Sequence, residues 1–96
     1  MTAPAQEWLR LDTWLWQARF LRSRADCARL AEAGGVRINR QPTEKPHARV
    51  RVGDVLTIAP PGGHDVRVIT IRALGSRRGP ASEARTLYED IPAAPG

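Results

Sequence analysis

Lysine is almost missing from this chain: Lys45 stands alone beside fourteen arginines. Arginine donates through a planar fork that matches phosphate oxygens, whereas lysine is a point charge. Cysteine is reduced to Cys27, which excludes an internal disulfide and a multi-cysteine metal site. Cys27 sits among Ala, Arg and Leu in a helical pattern and reads as a small core residue, which suits a reducing compartment. No apolar run approaches the roughly 20 residues of a bilayer span, so no membrane partner is expected. Met1 to Gln6 has neither the basic head nor the apolar stretch of a signal peptide, and the cytoplasm is the expected location. His47 and His64 have no second histidine or cysteine at ligand spacing, so no metal is expected. Ser23 and Ser76 have no base arrangement that would make a nucleophile, and Gly34-Gly35 and Gly62-Gly63 lack phosphate-loop spacing. Nothing here points to catalysis, a cofactor or a small-molecule substrate. A chain of 96 residues also buries only roughly 60–65% of its unfolded surface, too little for a large closed pocket.

What is present is positive charge in one place. The formal net charge is +5. Residues 1–9 carry only Glu7. Residues 10–51 hold ten basic and four acidic residues, for +6, and residues 52–96 balance five against five. An evenly solvated surface does not concentrate charge in this way, so the N-terminal half is expected to carry a face for an anionic partner, nucleic acid first.

The pattern predicts a small α+β domain over 10–89, with tails at 1–9 and 90–96. The first helix is expected to begin at Arg10, with Leu11, Trp14, Leu15 and Ala18 on one helical stripe. After a short link at Phe20 to Arg22, Ser23 opens a second helix of about Arg24 to Ala33, with Asp26 as capping-box partner. Gly34-Gly35 ends it. The period then becomes two. Val36 to Ile38 is a short strand, Asn39 to Gln41 a turn, and Pro42 and Pro46 hold an irregular extended link. Gly53-Asp54 turns into a strand at Val55 to Ile58. Pro60 to Gly63 is a loop, Asp65 to Arg72 another strand, Gly75 to Gly79 a basic loop, and Pro80 to Tyr88 a short final helix.

Arg22 and Arg24 flank the N-cap of the second helix, where the dipole makes cations unfavourable by a few tenths of a kcal/mol or more. They make sense if an anion docks there, bound by the guanidinium forks and the free N–H groups of the first turn. Arg37 and Asn39, two apart on or just after a strand, are expected on one face beside that helix start, extended by Arg40 and Lys45. Asp12 is placed to hold a nearby arginine. Trp14 belongs to the core, and Trp8 to its edge. Trp16 falls off the buried stripe, where it either stacks on a base or covers a second sheet face.

The ordered set Arg10-Leu-Asp-Thr-Trp-Leu-Trp16, Ala18-Arg-Phe20, Ser23-Arg24, Ala28, Leu30, Gly35-Val-Arg-Ile-Asn39 and Val52-Gly-Asp54 resembles the RNA-binding domain of ribosomal protein S-four, the αL motif. Within that superfamily, the Trp-Leu-Trp pair, Arg77-Arg78, Pro80-Ala-Ser-Glu-Ala84 and Leu87-Tyr-Glu89 are similar to the ribosome-associated heat-shock protein fifteen family. The resemblance implies two N-terminal helices on a small, mostly antiparallel sheet and a short C-terminal helical turn. It implies binding of structured RNA, with ribosomal RNA of the large subunit as partner. It also implies that Arg10, Thr13, Arg22, Ser23, Arg24, Arg37 and Asn39 line the RNA surface. Two positions depart from the family pattern: Thr13 replaces a usual lysine, and Arg40 a usual glycine. About five phosphate contacts would give a log-affinity against log-salt slope near −4. The rivals are a DNA-binding helix-turn-helix and a protein-interaction domain with an acidic partner.

Overall fold

A computed structural model describes residues 7–59 and 65–92. The expected loop at Pro60 to Gly63, His64 and the Met1 to Gln6 segment lie outside the described residues.

Two helices open the fold. Helix α1, Leu11–Gln17, follows a two-residue strand β1, Leu9–Arg10. Its stripe Leu11, Trp14, Leu15 and Ala18 is buried, as the period requires. It closes with the bonds of a Schellman motif: Phe20 N–H donates to the Leu15 carbonyl at 3.0 Å and Arg19 N–H to the Trp16 carbonyl at 3.1 Å. Arg19 takes the left-handed position there, at φ 63°, where glycine is usual. Its side chain is held by the Gly79 carbonyl, 2.6 Å from Nε.

Helix α2, Arg24–Glu32, begins at Ser23, whose Oγ accepts the Asp26 N–H at 3.0 Å. It ends on a second Schellman pair, with Gly34 N–H donating to Ala31 and Gly35 N–H to Leu30, both at 2.9 Å. Gly34 sits at φ 78°. Gly35 is needed for space: a Cβ there would stand 2.5 Å from Leu30 Cδ1 and 2.8 Å from the Ala59 carbonyl oxygen.

The glycine pair delivers the chain into an antiparallel five-stranded sheet of order β3-β2-β5-β6-β7. Its strands are β2, Val36–Ile38; β3, Gln41–Thr43; β5, Val55–Ile58; β6, Arg67–Ile71; and β7, Tyr88–Asp90. The remaining strand, β4, Arg49–Val50, pairs with β1 in a separate two-stranded ribbon. Helix α3, Ala81–Ala84, and a 3₁₀ turn, Arg85–Leu87, lead into β7. The core unites α1, α2 and one face of the sheet: Leu11, Trp14, Leu15, Cys27, Leu30, Val36, Leu56, Ile58, Ile69 and Ile71 form a single cluster.

The expected α+β layout is therefore present, with three corrections. Gln41–Thr43 is a strand, not an irregular link. Pro42 is tolerated because β3 is the sheet edge, where a missing N–H breaks no ladder. Tyr88 begins a strand and does not end a helix, because Ile71↔Tyr88 and Thr70↔Glu89 continue the sheet. Arg10 is extended, and α1 starts one residue later.

Candidate nucleic-acid interface

The structure sharpens the charge asymmetry. Arg67 pairs with Asp90, Arg72 with Glu89 and Arg77 with Glu83, so the C-terminal half neutralises most of its own cations. Among the described residues of the N-terminal half only Arg10 and Arg29 meet carboxylates, Asp12 and Asp26. Among the described residues Arg22, Arg24, Arg37, Arg40, Lys45, Arg49 and Arg51 have no carboxylate within salt-bridge distance. Exposed ion pairs contribute little to stability, so their value here is the sorting of charge.

These cations divide over two faces. One group gathers on the helices. Thr13 and Trp16, three apart on α1, share its outer side, and Arg10 stands just before the helix. Arg10 is held by Asp12 through a two-pronged contact, Nε to Oδ1 at 3.1 Å and Nη2 to Oδ2 at 3.0 Å. Asp12 also accepts the Thr13 N–H at 2.8 Å, so the expected arginine-holding role is filled. The Asp12 N–H donates to the Pro46 carbonyl at 3.0 Å, which carries the adjoining Lys45 to the start of α1. Arg24, at the first position of α2, lays its guanidinium 4.6 Å from the Trp16 ring centroid. Arg22 and Ser23 stand immediately before it.

The N-terminus of α2 has two backbone donors to offer. Ser23 Oγ takes the Asp26 N–H and the Ser23 carbonyl takes the Cys27 N–H. The N–H groups of Arg24 and Ala25 have no protein acceptor among the described residues, as the geometry of a helix start requires. Arg29 holds the Asp26 carboxylate at 2.6 Å, and with Ser23 it keeps that carboxyl below the usual carboxylate range. Asp26 thus stays ionised and tied to Arg29, leaving Arg22 and Arg24 unpaired.

The second group is elsewhere. Val36 and Ile38 point into the core, so Arg37 between them points to the sheet face that the helices do not cover. Its cross-strand neighbours are Pro42 and Thr57. Arg40 and Asn39 form the two-residue loop joining β2 to β3, at φ 72° and 51°. Asn39 is committed to the fold: its Oδ1 accepts the Val55 N–H at 2.9 Å and its Nδ2 donates to Asp54 at 3.1 Å. The contacts thus tie Arg10 to Asp12, Arg24 to Trp16 and the backbone next to Lys45 to the start of α1, while Arg37 lies on the opposite face of the sheet and Asn39 and Arg40 lie in the β2–β3 loop.

One contributor was missing from the candidate residues. Arg78, from the loop after β6, donates through Nε to the Trp16 carbonyl at 3.1 Å and through Nη2 to the Leu21 carbonyl at 3.4 Å. Its guanidinium lies 5.6 Å from the Trp16 ring centroid. The sequence marks Arg77-Arg78 as a basic loop, but a contact across 62 residues leaves no local signal.

Cys27 is fully buried and its thiol is pushed up to about 11, chiefly by burial, with Asp12 and Asp26 adding to the rise. Among the described residues no group of three His, Cys, Asp or Glu side chains could hold a metal ion, and no helix is long and apolar enough to cross a membrane.

Comparison with known proteins covers most of the chain. The S4 domain family model matches residues 9–56, which span both helices and the β2–β5 part of the sheet. The chain is 42% identical over 87 residues to heat shock protein 15 of Escherichia coli K12, covering 91% of this chain and 62% of that protein. It is 37% identical over 86 residues to the heat shock protein 15 homolog of Haemophilus influenzae, covering 90% and 63%. The chain thus spans less than two thirds of the length of these curated relatives. The trimeric structure of Vibrio cholerae heat shock protein 15 superposes with a TM-score of 0.80 at 38% identity, covering 88% of this chain and 83% of that one.

Proposed function

Because the chain belongs to the S4 domain family, we propose that it is a binding protein for structured RNA, that its target is ribosomal RNA of the large subunit, and that it carries out no reaction of its own. The observation that carries this reading is the pair Arg22 and Arg24, unpaired on either side of the α2 N-cap and opposed to the local helix dipole. A phosphate there would receive both guanidinium forks and the N–H groups of Arg24 and Ala25. Ser23 Oγ accepts within the helix cap and keeps its own hydrogen free to donate outward. Lys45 and the Asp12-held Arg10 extend the contact along α1. Such an arrangement grips backbone and shape more than base edges, in the manner of proteins that read folded RNA.

A DNA-reading helix is less well supported. The two and a half turns of α2 expose Arg24, lying on Trp16, Ala25, an Arg29 already held by Asp26, and Glu32, so few side chains are free to read bases.

The test is a salt titration of binding to purified large-subunit ribosomal RNA. Arg22, Arg24, Lys45 and part of Arg10 correspond to about three to four phosphates, which gives a log–log slope of about −3. The double variant Arg22→Ala, Arg24→Ala should lower both affinity and slope, with thermal stability unchanged or slightly raised. A slope near zero, or unchanged affinity in the double variant, would overturn the reading. Equal affinity for duplex DNA would favour the DNA rival. Ribosome association that survives nuclease treatment would favour an acidic protein partner.

A further inference from the structure

Trp16 is the large aromatic side chain on the helix face, and two arginines hold it in unequal ways. Arg78 is half-buried and fixed, hydrogen-bonded to the carbonyls of Trp16 and Leu21. Arg24 is exposed, has no carboxylate partner, and meets Trp16 only through its guanidinium 4.6 Å from the ring centroid. One cation is fixed to the backbone that carries the tryptophan, and the other is exposed and rests on the ring alone.

We propose that Trp16 is a stacking site for an unpaired nucleobase, with Arg24 leaving the ring to bind the phosphate of the same nucleotide. The site rests on the reading of the helix face as RNA-binding and deepens it. An exposed cation–π contact is weaker than stacking of a base on an indole, so a base displaces the guanidinium. The displaced guanidinium exchanges an aromatic face for a charge-assisted, two-pronged phosphate contact. Arg78 does not move, because its bonds run to backbone, and it keeps the ring in place.

The position of the ring supports this assignment. Trp16 stands one turn along α1 from Thr13 and in contact with the first residue of α2. A base on the ring therefore lies beside the phosphate that Arg22, Ser23 and Arg24 receive. A continuous duplex cannot supply it, because its bases are stacked inside. The ligand class is a folded RNA with one nucleotide turned out of the helix, as in a bulge or loop.

The experiment compares three short RNA hairpins: one with a fully paired stem, one with a single bulged adenosine, and one with an abasic residue at the bulge. The wild-type protein should bind the bulged adenosine about tenfold more tightly than the abasic hairpin. Trp16→Leu keeps an apolar side chain on the core and should abolish that preference while still binding the paired hairpin. Trp16→Phe should retain part of it. Thermal melts confirm that each variant is folded, and if Trp16→Leu does not fold, the adenosine-to-abasic ratio of the wild type decides alone. Equal binding of the bulged and abasic hairpins, or an undiminished preference in folded Trp16→Leu, overturns the stacking site alone. Absence of salt-dependent binding to every hairpin overturns the RNA-binding reading, and the stacking site with it.

Discussion

Replacing Arg40 by glycine should make the domain more stable, while the same replacement at its neighbour Asn39 should make it less so. Both residues have positive φ in the two-residue β2–β3 loop, the arrangement for which Asn-Gly is the preferred sequence. A left-handed conformation costs a residue with a Cβ about 1–2 kcal/mol, and less for asparagine. Glycine at 40 removes that cost but adds freedom to the unfolded chain, about 0.5–1 kcal/mol. The Arg40 side chain makes no hydrogen bond or ion pair within the described residues, so nothing else is lost. The net gain is about 0.5–1 kcal/mol, which at this size raises Tm by about 2–8 °C. Asn39 differs because its amide bonds the Val55 N–H and Asp54. Asn39→Gly removes both bonds and should cost about 1–2 kcal/mol net. Circular dichroism melts of the two variants, with Arg40→Gln as a control for lost charge, give the comparison. The strain argument fails if Arg40→Gly melts at or below Arg40→Gln, or if Asn39→Gly matches the parent.

Trp14 is fully buried and donates its Nε1 hydrogen to the Ala73 carbonyl at 3.0 Å, so Trp14→Phe should cost about 2–4 kcal/mol in chemical denaturation. Ser23→Ala removes the α2 cap and should cost about 1 kcal/mol, whereas Ser23→Gly should cost only a few tenths, a ratio that thermal melts can resolve. Cys27 should make stability fall at alkaline pH. Its folded thiol, at about 11, titrates above the ordinary value of 9.0, so the fold favours the neutral form. Stability is then unaffected below pH 9 and declines as pH rises from there through 11. Denaturation of Cys27→Ala should show a smaller decline over that window, and an identical decline would exclude the thiol as its cause.

The two helices were legible because period, cap and terminator agree. The apolar stripe of α1 marks its buried face, and Ser23 and the Gly34-Gly35 pair mark the two ends of α2, as packing then uses them. The short strands were less so. Leu9–Arg10 and Arg49–Val50 are two residues each, too brief to show an alternation, and become strands only by meeting one another. Pro42 argued locally against a strand that its place at the sheet edge permits. The division of the basic residues between two faces was available in part: Val36 and Ile38 fix the inward side of β2, and Arg37 must then leave by the other. What local pattern could not supply was which side α2 would cover. The partnership of Trp16 and Arg78 was beyond reach for a related reason, since only the closed tertiary structure brings them together.

The seating of α1 by distant backbone has a consequence for synthesis. Trp14 bonds Ala73, Gln17 bonds Leu74, Arg19 bonds Gly79, and Arg78 bonds Trp16 and Leu21. Each of these links closes a long stretch of chain, so its entropic cost falls due late. A growing polypeptide that has emerged only as far as the end of β5 carries Arg10, Arg22, Arg24 and Lys45 but lacks the strap, Arg78 included, that fixes Trp16. The face that carries Trp16 is written early in the chain and becomes rigid only once Gly79 has been made.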